Sequence, residues 1–471
     1  MEEKMEKIQQ VLFIRNPWWF EQKSDMDIPQ TKRKLFFTLQ ENLQDERGLQ
    51  IVGLRRTGKT TLLMQVINAL LKDGVASRQI LYLSADSVEL RNVEHPIIAC
   101  FQYFYEEIAR QDEKIYLFID EAHFSSTWAQ EVKNLWDVFH PKIFVTGSST
   151  LRLLRESRES LVGRMRSFYL GPLSLTEFSE MGGEPIEHNI PSLITTSGAF
   201  KPDDFKAMLL TLKNDPVQYE KLKRLTKPIF HQYLLRGGFP EGVFTENLNR
   251  YLLDIREDII DRVLYKDIPE LFGVRDRRVL YDLFVFTVYN SGNLFSFNSL
   301  AQTLGAKTDT ISNYIQYLAA SDVIAVLPKY ARTVEGTLRT QKKVYVADVA
   351  IRNALLGQLD MADTERLSRE AELLASTRLH FSTRPAGVEL FYWRNRYEVD
   401  LVLRALGTYP IPLEVKYKSD ISTADIKGLL NFMEREKVEM GYVLTRNEFR
   451  VETSEIGEVL LVPLWLFLLG L

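Results

Sequence analysis

Gly53-Leu54-Arg55-Arg56-Thr57-Gly58-Lys59-Thr60 fits the spacing GxxxxGK(S/T), and the reading of the whole chain follows from it. The stretch comes after a short apolar run at residues 49–52 and before a helix-like segment at residues 61–71. This is the strand, loop and helix context in which such a spacing binds phosphate. Glycines let backbone N–H groups curl around the anion, the lysine reaches the β and γ phosphates, and the adjacent hydroxyl ligates Mg2+. The helix that starts there aims the positive end of its dipole at the same anion. Gly53, Thr57, Gly58, Lys59, Thr60 and Thr61 are therefore the expected contacts to ATP.

Working outward, apolar runs at residues 80–83, 115–119 and 143–145 recur at the spacing of buried parallel strands alternating with helices, which predicts an α/β fold. The second run ends in Asp120-Glu121-Ala122-His123. Asp120 is placed to hold Mg2+ together with Thr60, and Glu121 to orient or deprotonate the attacking water. The third run ends in Thr146-Gly147-Ser148-Ser149, small polar residues at the carboxyl edge of a sheet, where ligands bind. By position they resemble the sensor-1 site of AAA-type ATPases, with Ser148 the candidate reader of the γ-phosphate. Arg164 and Arg166 stand just before another strand-like run at residues 167–170, and either is a candidate arginine finger. A finger acting across a subunit boundary implies a homo-oligomer.

At 471 residues the chain is too long for one core, and about three domains is the prior. A hydrophobic share of 45% with 26% charged residues is that of a globular protein. A net charge of −4 makes no global case for nucleic acid, so such binding would need a local basic face. The single cysteine, Cys100, excludes an internal disulfide framework and suits a reducing cytoplasm. The first ten residues lack the apolar core of a signal peptide. The apolar run at residues 459–471 is too short, and broken by Pro463, for the roughly 20 residues of a membrane span. No membrane partner is expected; the run reads as a terminal strand and helix.

The phosphate loop, Asp120-Glu121, Thr146-Gly147-Ser148-Ser149, Gly163-Arg164 and Pro172-Leu173-Ser174-Leu175-Thr176-Glu177-Phe178 together resemble an uncharacterised family of archaeal and bacterial AAA-type ATPases. That resemblance implies a winged helix and a PD-(D/E)xK nuclease-like domain behind the ATPase. Arg15-Asn16-Pro17-Trp18-Trp19 is similar to a family lead-in thought to flank the nucleotide site, although paired tryptophans also serve as core anchors. The expected division is an AAA-like P-loop domain at residues 1–175, a helical lid at 176–276, a winged helix at 277–350 and the nuclease-like α/β domain at 364–471.

Residues 192–215 are polar enough for a loop or lid. A helix-turn-helix is expected from a short helix at residues 299–304, a turn at Gly305, and a helix at 310–319 capped by Thr308, with Ile311, Tyr314, Ile315 and Leu318 inward. Strands at residues 323–330 and 342–347 would form its wing. The second helix carries Asp309 and no Lys or Arg after Lys307, which argues against tight phosphate contact. DNA and a protein remain alternative partners. In the last domain, a hairpin closing at Gly407 sets Asp400 across from Glu414, with Lys416 on the same face as Glu414. Two carboxylates and a lysine there are enough to hold a metal ion and stabilise charge on phosphate. The pattern matches Asp-xn-Glu-x-Lys of the PD-(D/E)xK fold, whose members often add a glutamate from an earlier helix. Glu372 fits that role best, with Glu370 close behind.

The expected function is an ATP-hydrolysing AAA-type enzyme acting on DNA through the winged helix and a nuclease-like domain that either cleaves or only binds. The alternative is a nucleotide-dependent switch or scaffold that binds protein partners through an inactive nuclease-like domain. Asp-Glu-Ala-His also suggests a superfamily-2 helicase, but no second set of such motifs follows.

Overall fold

A computed structural model describes residues 2–20, 28–91, 93–110, 113–148, 153, 159–195, 198–333, 337 and 340–471. Ser149 lies outside them. The chain divides into two compact units, Met1–Leu170 and Gly171–Leu471. Among the described residues no helix is long and apolar enough to cross a membrane.

The first unit opens with two helices, α1 (Glu2–Arg15) and α2 (Lys34–Glu41). Its strands are β1 (Gly48–Val52), β2 (Ile80–Ser84), β3 (Tyr116–Asp120), β4 (Lys142–Gly147) and β5 (Met165–Tyr169). They pair in parallel in the order β2-β3-β4-β1-β5. Every residue of β1 to β4 is buried, which is why these strands read as mostly apolar runs. The crossover helices are α3 (Lys59–Lys72), α4 (Pro96–Glu107) and α5 (Trp128–Phe139). Between loop and acid pair the sequence interposes β2, but in space β4 stands between β1 and β3. The end of β4 is thereby carried to the site.

The Asn16-Pro17-Trp18-Trp19 lead-in closes the outer edge of the sheet. Asn16 exchanges hydrogen bonds with the backbone of Tyr82 at 2.7 and 2.9 Å. The indole N–H groups of Trp18 and Trp19 both donate to the Ile80 carbonyl, at 3.2 and 2.9 Å. An uncovered strand edge would present unpaired backbone groups, and this segment satisfies them.

In the second unit the polar stretch expected as a lid holds the helix Pro202–Lys213. Pro202, Asp203 and Asp204 favour its start, and Phe205, Leu209 and Leu212 bury one stripe of it. Farther on, Phe297–Leu304 and Thr308–Ala320 are helices joined through a left-handed Gly305 (φ +62°). Ile311, Tyr314, Ile315 and Leu318 are buried as expected. The caps differ: Ser296 caps the first helix, and the Thr308 hydroxyl bonds Asn298 at 3.0 Å instead of capping the second. A three-stranded sheet flanks these helices, β6 (Leu294–Phe295) before them and β7 (Ile324–Leu327) and β8 (Lys342–Val346) after, with β8 central and antiparallel to both.

The last sheet has six strands in the order β13-β14-β12-β11-β10-β9. They are β9 (Glu389–Arg394), β10 (Glu398–Arg404), β11 (Ile411–Lys416), β12 (Met440–Thr445), β13 (Arg450–Thr453) and β14 (Glu458–Pro463). The apolar C-terminal run is β14 followed by the helix Leu464–Leu468, both buried. The helix Thr364–Thr383 contacts β8, β9 and β11.

Candidate functional site

The loop after β1 is held open by its own backbone. Arg56 (φ +60°) and Gly58 (φ +92°) are both left-handed, which turns successive N–H groups inward. A Cβ on Gly53 would sit 2.2 Å from the Leu170 carbonyl oxygen, so only glycine lets the chain pass the end of β5. The Lys59 ammonium lies inside the curl, donating to the carbonyls of Gly53 and Leu54 at 3.0 Å each. Thr57 bonds the Leu54 carbonyl at 2.8 Å, which makes its side chain a brace for the loop. Thr61 sits half-buried in the first turn of α3. Arg33, which the motif does not reveal, donates to the Thr57 carbonyl at 3.0 Å.

Asp120, 2% exposed, accepts from three hydroxyls. Thr60 reaches it at 2.6 Å, Tyr82 at 3.0 Å, and Thr146 completes the set. Burial and the Glu121 charge push its pKa up, while the three hydroxyls oppose them. Thr60 and Asp120, hard oxygen donors side by side at the lip of the loop, suit Mg2+. Glu121 follows in a left-handed conformation (φ +50°), which costs a non-glycine residue of the order of 1 kcal/mol or more. Its carboxylate is held by the Ser148 N–H and hydroxyl at 3.3 Å each and lies 3.2 Å from His123 Nδ1. Its own N–H donates to Asp120 and Thr146 at 3.1 and 3.2 Å. Ser148 thus orients the glutamate, while Thr146 links it to the aspartate. The sequence signals neither Tyr82 nor His123 as a partner of these acids.

Arg164 and Arg166 lie elsewhere. The Gly48 N–H donates to the Arg164 carbonyl at 2.8 Å, which places both arginines beside the start of β1. The phosphate loop is at the other end of that strand, ~16 Å away for five residues of extended chain. Arg164 bonds Asp137 at 2.9 Å, and Arg166 bonds Asn42 and lies 3.4 Å from Asp45. Neither reaches the nucleotide site of its own chain.

In the second unit the β10–β11 register pairs Leu401 with Leu413 and so sets Asp400 opposite Glu414, as the hairpin predicted. The Asp400 N–H donates to Glu414 at 3.2 Å, the Val415 N–H to Asp400 at 3.0 Å, and Lys416 pairs with Glu414. Of the two helical candidates, Glu372 faces this pair and Glu370 does not. Glu370 is buried 3.5 Å from both Arg352 and Arg366. The centre of the cluster holds a residue that sequence reasoning missed. Lys343 on β8, 3% exposed, lies 2.6 Å from Glu398, 3.3 Å from Asp400 and 3.5 Å from Glu372. Tyr345 donates to Glu372 at 2.8 Å.

Donors from the chain already engage the oxygens that were expected to bind metal, and the Lys343 ammonium stands among them. Both carboxylate oxygens of Asp400 and both of Glu414 already take an N–H from the chain. Among the described residues no three His, Cys, Asp or Glu side chains are grouped to hold a metal ion. A divalent cation bound by Asp400, Glu414 and Glu372 does not fit this arrangement. Burial and the Asp400 charge raise the Glu414 pKa to about 8. Burial opposes ionisation of Asp400 too, but Lys343, Lys416 and the Val415 N–H outweigh it and hold its pKa low.

Residues 45–179 match an AAA domain. Residues 227–362 and 371–467 match two domains of unknown function, DUF8612 and DUF4143. An uncharacterized protein of Haemophilus influenzae is 29% identical over 315 residues, which is 65% of this chain and 69% of that one. An uncharacterized protein of Methanocaldococcus jannaschii is 26% identical over 426 residues, 89% of this chain and 84% of the other. AMPPCP-bound DnaA from Aquifex aeolicus has a TM-score of 0.24 at 16% identity, over 64% of this chain and 92% of its own, too slight a likeness to argue from. The phosphate loop, the strand order and the matched segment coincide: the first unit carries an AAA-type P-loop domain, a nucleotide-binding fold.

Proposed function

We propose that this chain hydrolyses ATP with Mg2+ as cofactor. Lys59 contacts the β and γ phosphates, Thr60 and Asp120 hold Mg2+, and Glu121 accepts a proton from the attacking water. When bound, the ion neutralises charge on the phosphate oxygens. The carrying observation is Glu121, kept in a costly backbone conformation beside the Thr60–Asp120 pair, with its carboxylate tied to Ser148. Lys59→Ala is expected to abolish ATP binding. Glu121→Gln is expected to keep binding and lose about 10² to 10⁴ in turnover. Fluorescent-nucleotide binding and phosphate release measure the two, and normal turnover in Glu121→Gln would remove it from this role.

The finer reading is action on DNA, with the helices Phe297–Leu304 and Thr308–Ala320 and the β7–β8 pair as a winged helix and the six-stranded sheet as a PD-(D/E)xK nuclease-like domain. Affinity for duplex DNA that falls steeply with salt would support it. A second reading is a nucleotide-dependent switch or scaffold for a protein partner. It is favoured by the Lys343 ammonium inside the acidic cluster and by a second helix without Lys or Arg. Absence of DNA binding at low salt would leave this second reading.

A further inference from the structure

The acidic cluster of the six-stranded sheet contains a cation supplied by the chain itself. Three carboxylates, Glu372, Glu398 and Asp400, surround the Lys343 ammonium within 3.5 Å, and an ammonium has three protons to give. The strand that delivers it is fastened in place. Tyr392 on β9 donates its hydroxyl to the Gln341 carbonyl at 2.7 Å. The Tyr392 N–H donates to the Pro328 carbonyl at 3.1 Å and the Tyr392 carbonyl accepts from the Tyr330 N–H at 2.6 Å, which ties the end of β7, the neighbour of β8, to the same residue. Lys343 is thus a buried side chain on a strand tied to the sheet that carries the acids.

A magnesium-class ion requires oxygens with free lone pairs at roughly 2.0–2.1 Å in near-octahedral geometry. Here each oxygen of Asp400 and Glu414 already takes one N–H, Glu372 receives the Tyr345 hydroxyl, and the Lys343 ammonium stands where a metal ion would have to touch Glu372 and Asp400 together. Buried carboxylates this close are costly without positive charge between them, and Lys343 and Lys416 supply that charge.

We propose that Lys343 is the resident counter-cation of this cluster, taking the place of the divalent ion that an Asp-Glu-x-Lys nuclease centre would hold, so that the second unit does not perform metal-assisted cleavage of nucleic acid. The inference rests on reading the β10–β11 hairpin as a nuclease-like arrangement and is independent of ATP hydrolysis.

Mn2+ titration of nucleotide-free, full-length protein, followed by the electron paramagnetic resonance signal of free Mn2+, tests it. Wild type and Asp400→Asn are expected to give the same curve. Lys343→Met, which removes the charge and keeps the apolar stem, is expected to gain one Mn2+ site per chain that wild type lacks, because ligand charge is then uncompensated. Lys343→Met combined with Asp400→Asn is expected to lose that site again. Wild-type uptake that Asp400→Asn removes would overturn the proposal, as would a folded Lys343→Met with no gained site. Circular dichroism establishes folding, and if Lys343→Met does not fold, the comparison of wild type with Asp400→Asn decides. Failure of ATP turnover would leave every one of these curves unchanged.

Discussion

Thr146 is the residue on which the nucleotide site turns. Its hydroxyl donates to Asp120 and accepts the Glu121 N–H, so one side chain from β4 sets the acid that ends β3 and the one just after it. Thr146→Val keeps the shape and removes the hydroxyl, so Asp120 loses one of its donors and the Glu121 N–H keeps only its bond to Asp120. ATP binding is expected to stay within about threefold of wild type, while single-turnover hydrolysis falls about 10- to 100-fold, the cost of losing orientation of a catalytic base. Ser148→Ala leaves its N–H on the glutamate and is expected to cost less than about tenfold. An equal loss in both variants would show that Thr146 positions the glutamate no more than the Ser148 hydroxyl does. The loop glycines, Lys59, Thr60 and Asp120 were legible because phosphate and Mg2+ chemistry constrains residue type at fixed spacing. Tyr82 and His123 were not, since either would read the same way as ordinary core.

Two helices show how elements are fixed across the fold. Glu131 on α5, 1% exposed, accepts the N–H groups of Ile97 and Ile98 at 2.9 Å each, closing the first turn of α4. Charge-assisted bonds to the positive end of a helix are strong, so Glu131→Ala is expected to lower unfolding free energy by about 2–3 kcal/mol. Urea denaturation measures it, and a change below about 0.5 kcal/mol would refute the capping role. In the helix Thr364–Thr383, His380 Nε2 accepts from the Arg384 guanidinium at 2.9 Å, which requires a neutral imidazole. Burial and the Arg384 charge hold its pKa well below 6.5. Below 6.5 the unfolded chain binds a proton that the folded chain refuses, so this group costs stability as pH falls through 6.5 toward the folded value and costs nothing above it. Urea melts of wild type and His380→Gln at about pH 7.5 and 5.5 are expected to differ in their acid loss, by at most about 1.4 kcal/mol per pH unit. Parallel losses would exclude His380 as the source.

At the scale of the whole molecule, Arg164 and Arg166 lie at the amino end of the first sheet while the nucleotide contacts lie at its carboxyl end. An arginine finger from this position must act on the nucleotide of a second copy. Protomers carrying Arg164→Ala and protomers carrying Lys59→Ala, each inactive alone, are then expected to recover part of wild-type hydrolysis when mixed. A fully active monomer in sedimentation velocity would end the finger assignment.

By itself the sequence determined the elements whose chemistry is local. A phosphate loop needs its glycines, lysine and threonine within one turn, buried parallel strands need unbroken apolar runs, and a hairpin closing at Gly407 must set Asp400 across from Glu414. Only the tertiary structure decided what meets across long separations. It placed β4 rather than β2 between the loop and the acid pair, tied the Trp18-Trp19 lead-in to a strand edge, and put both arginines out of reach of their own nucleotide. It also brought Lys343, 57 residues from Asp400 along the chain, into the acidic cluster. The physical reason is common to all four: strand order and the packing of one sheet on another are set by burial summed over many residues, and no spacing along the chain records that sum.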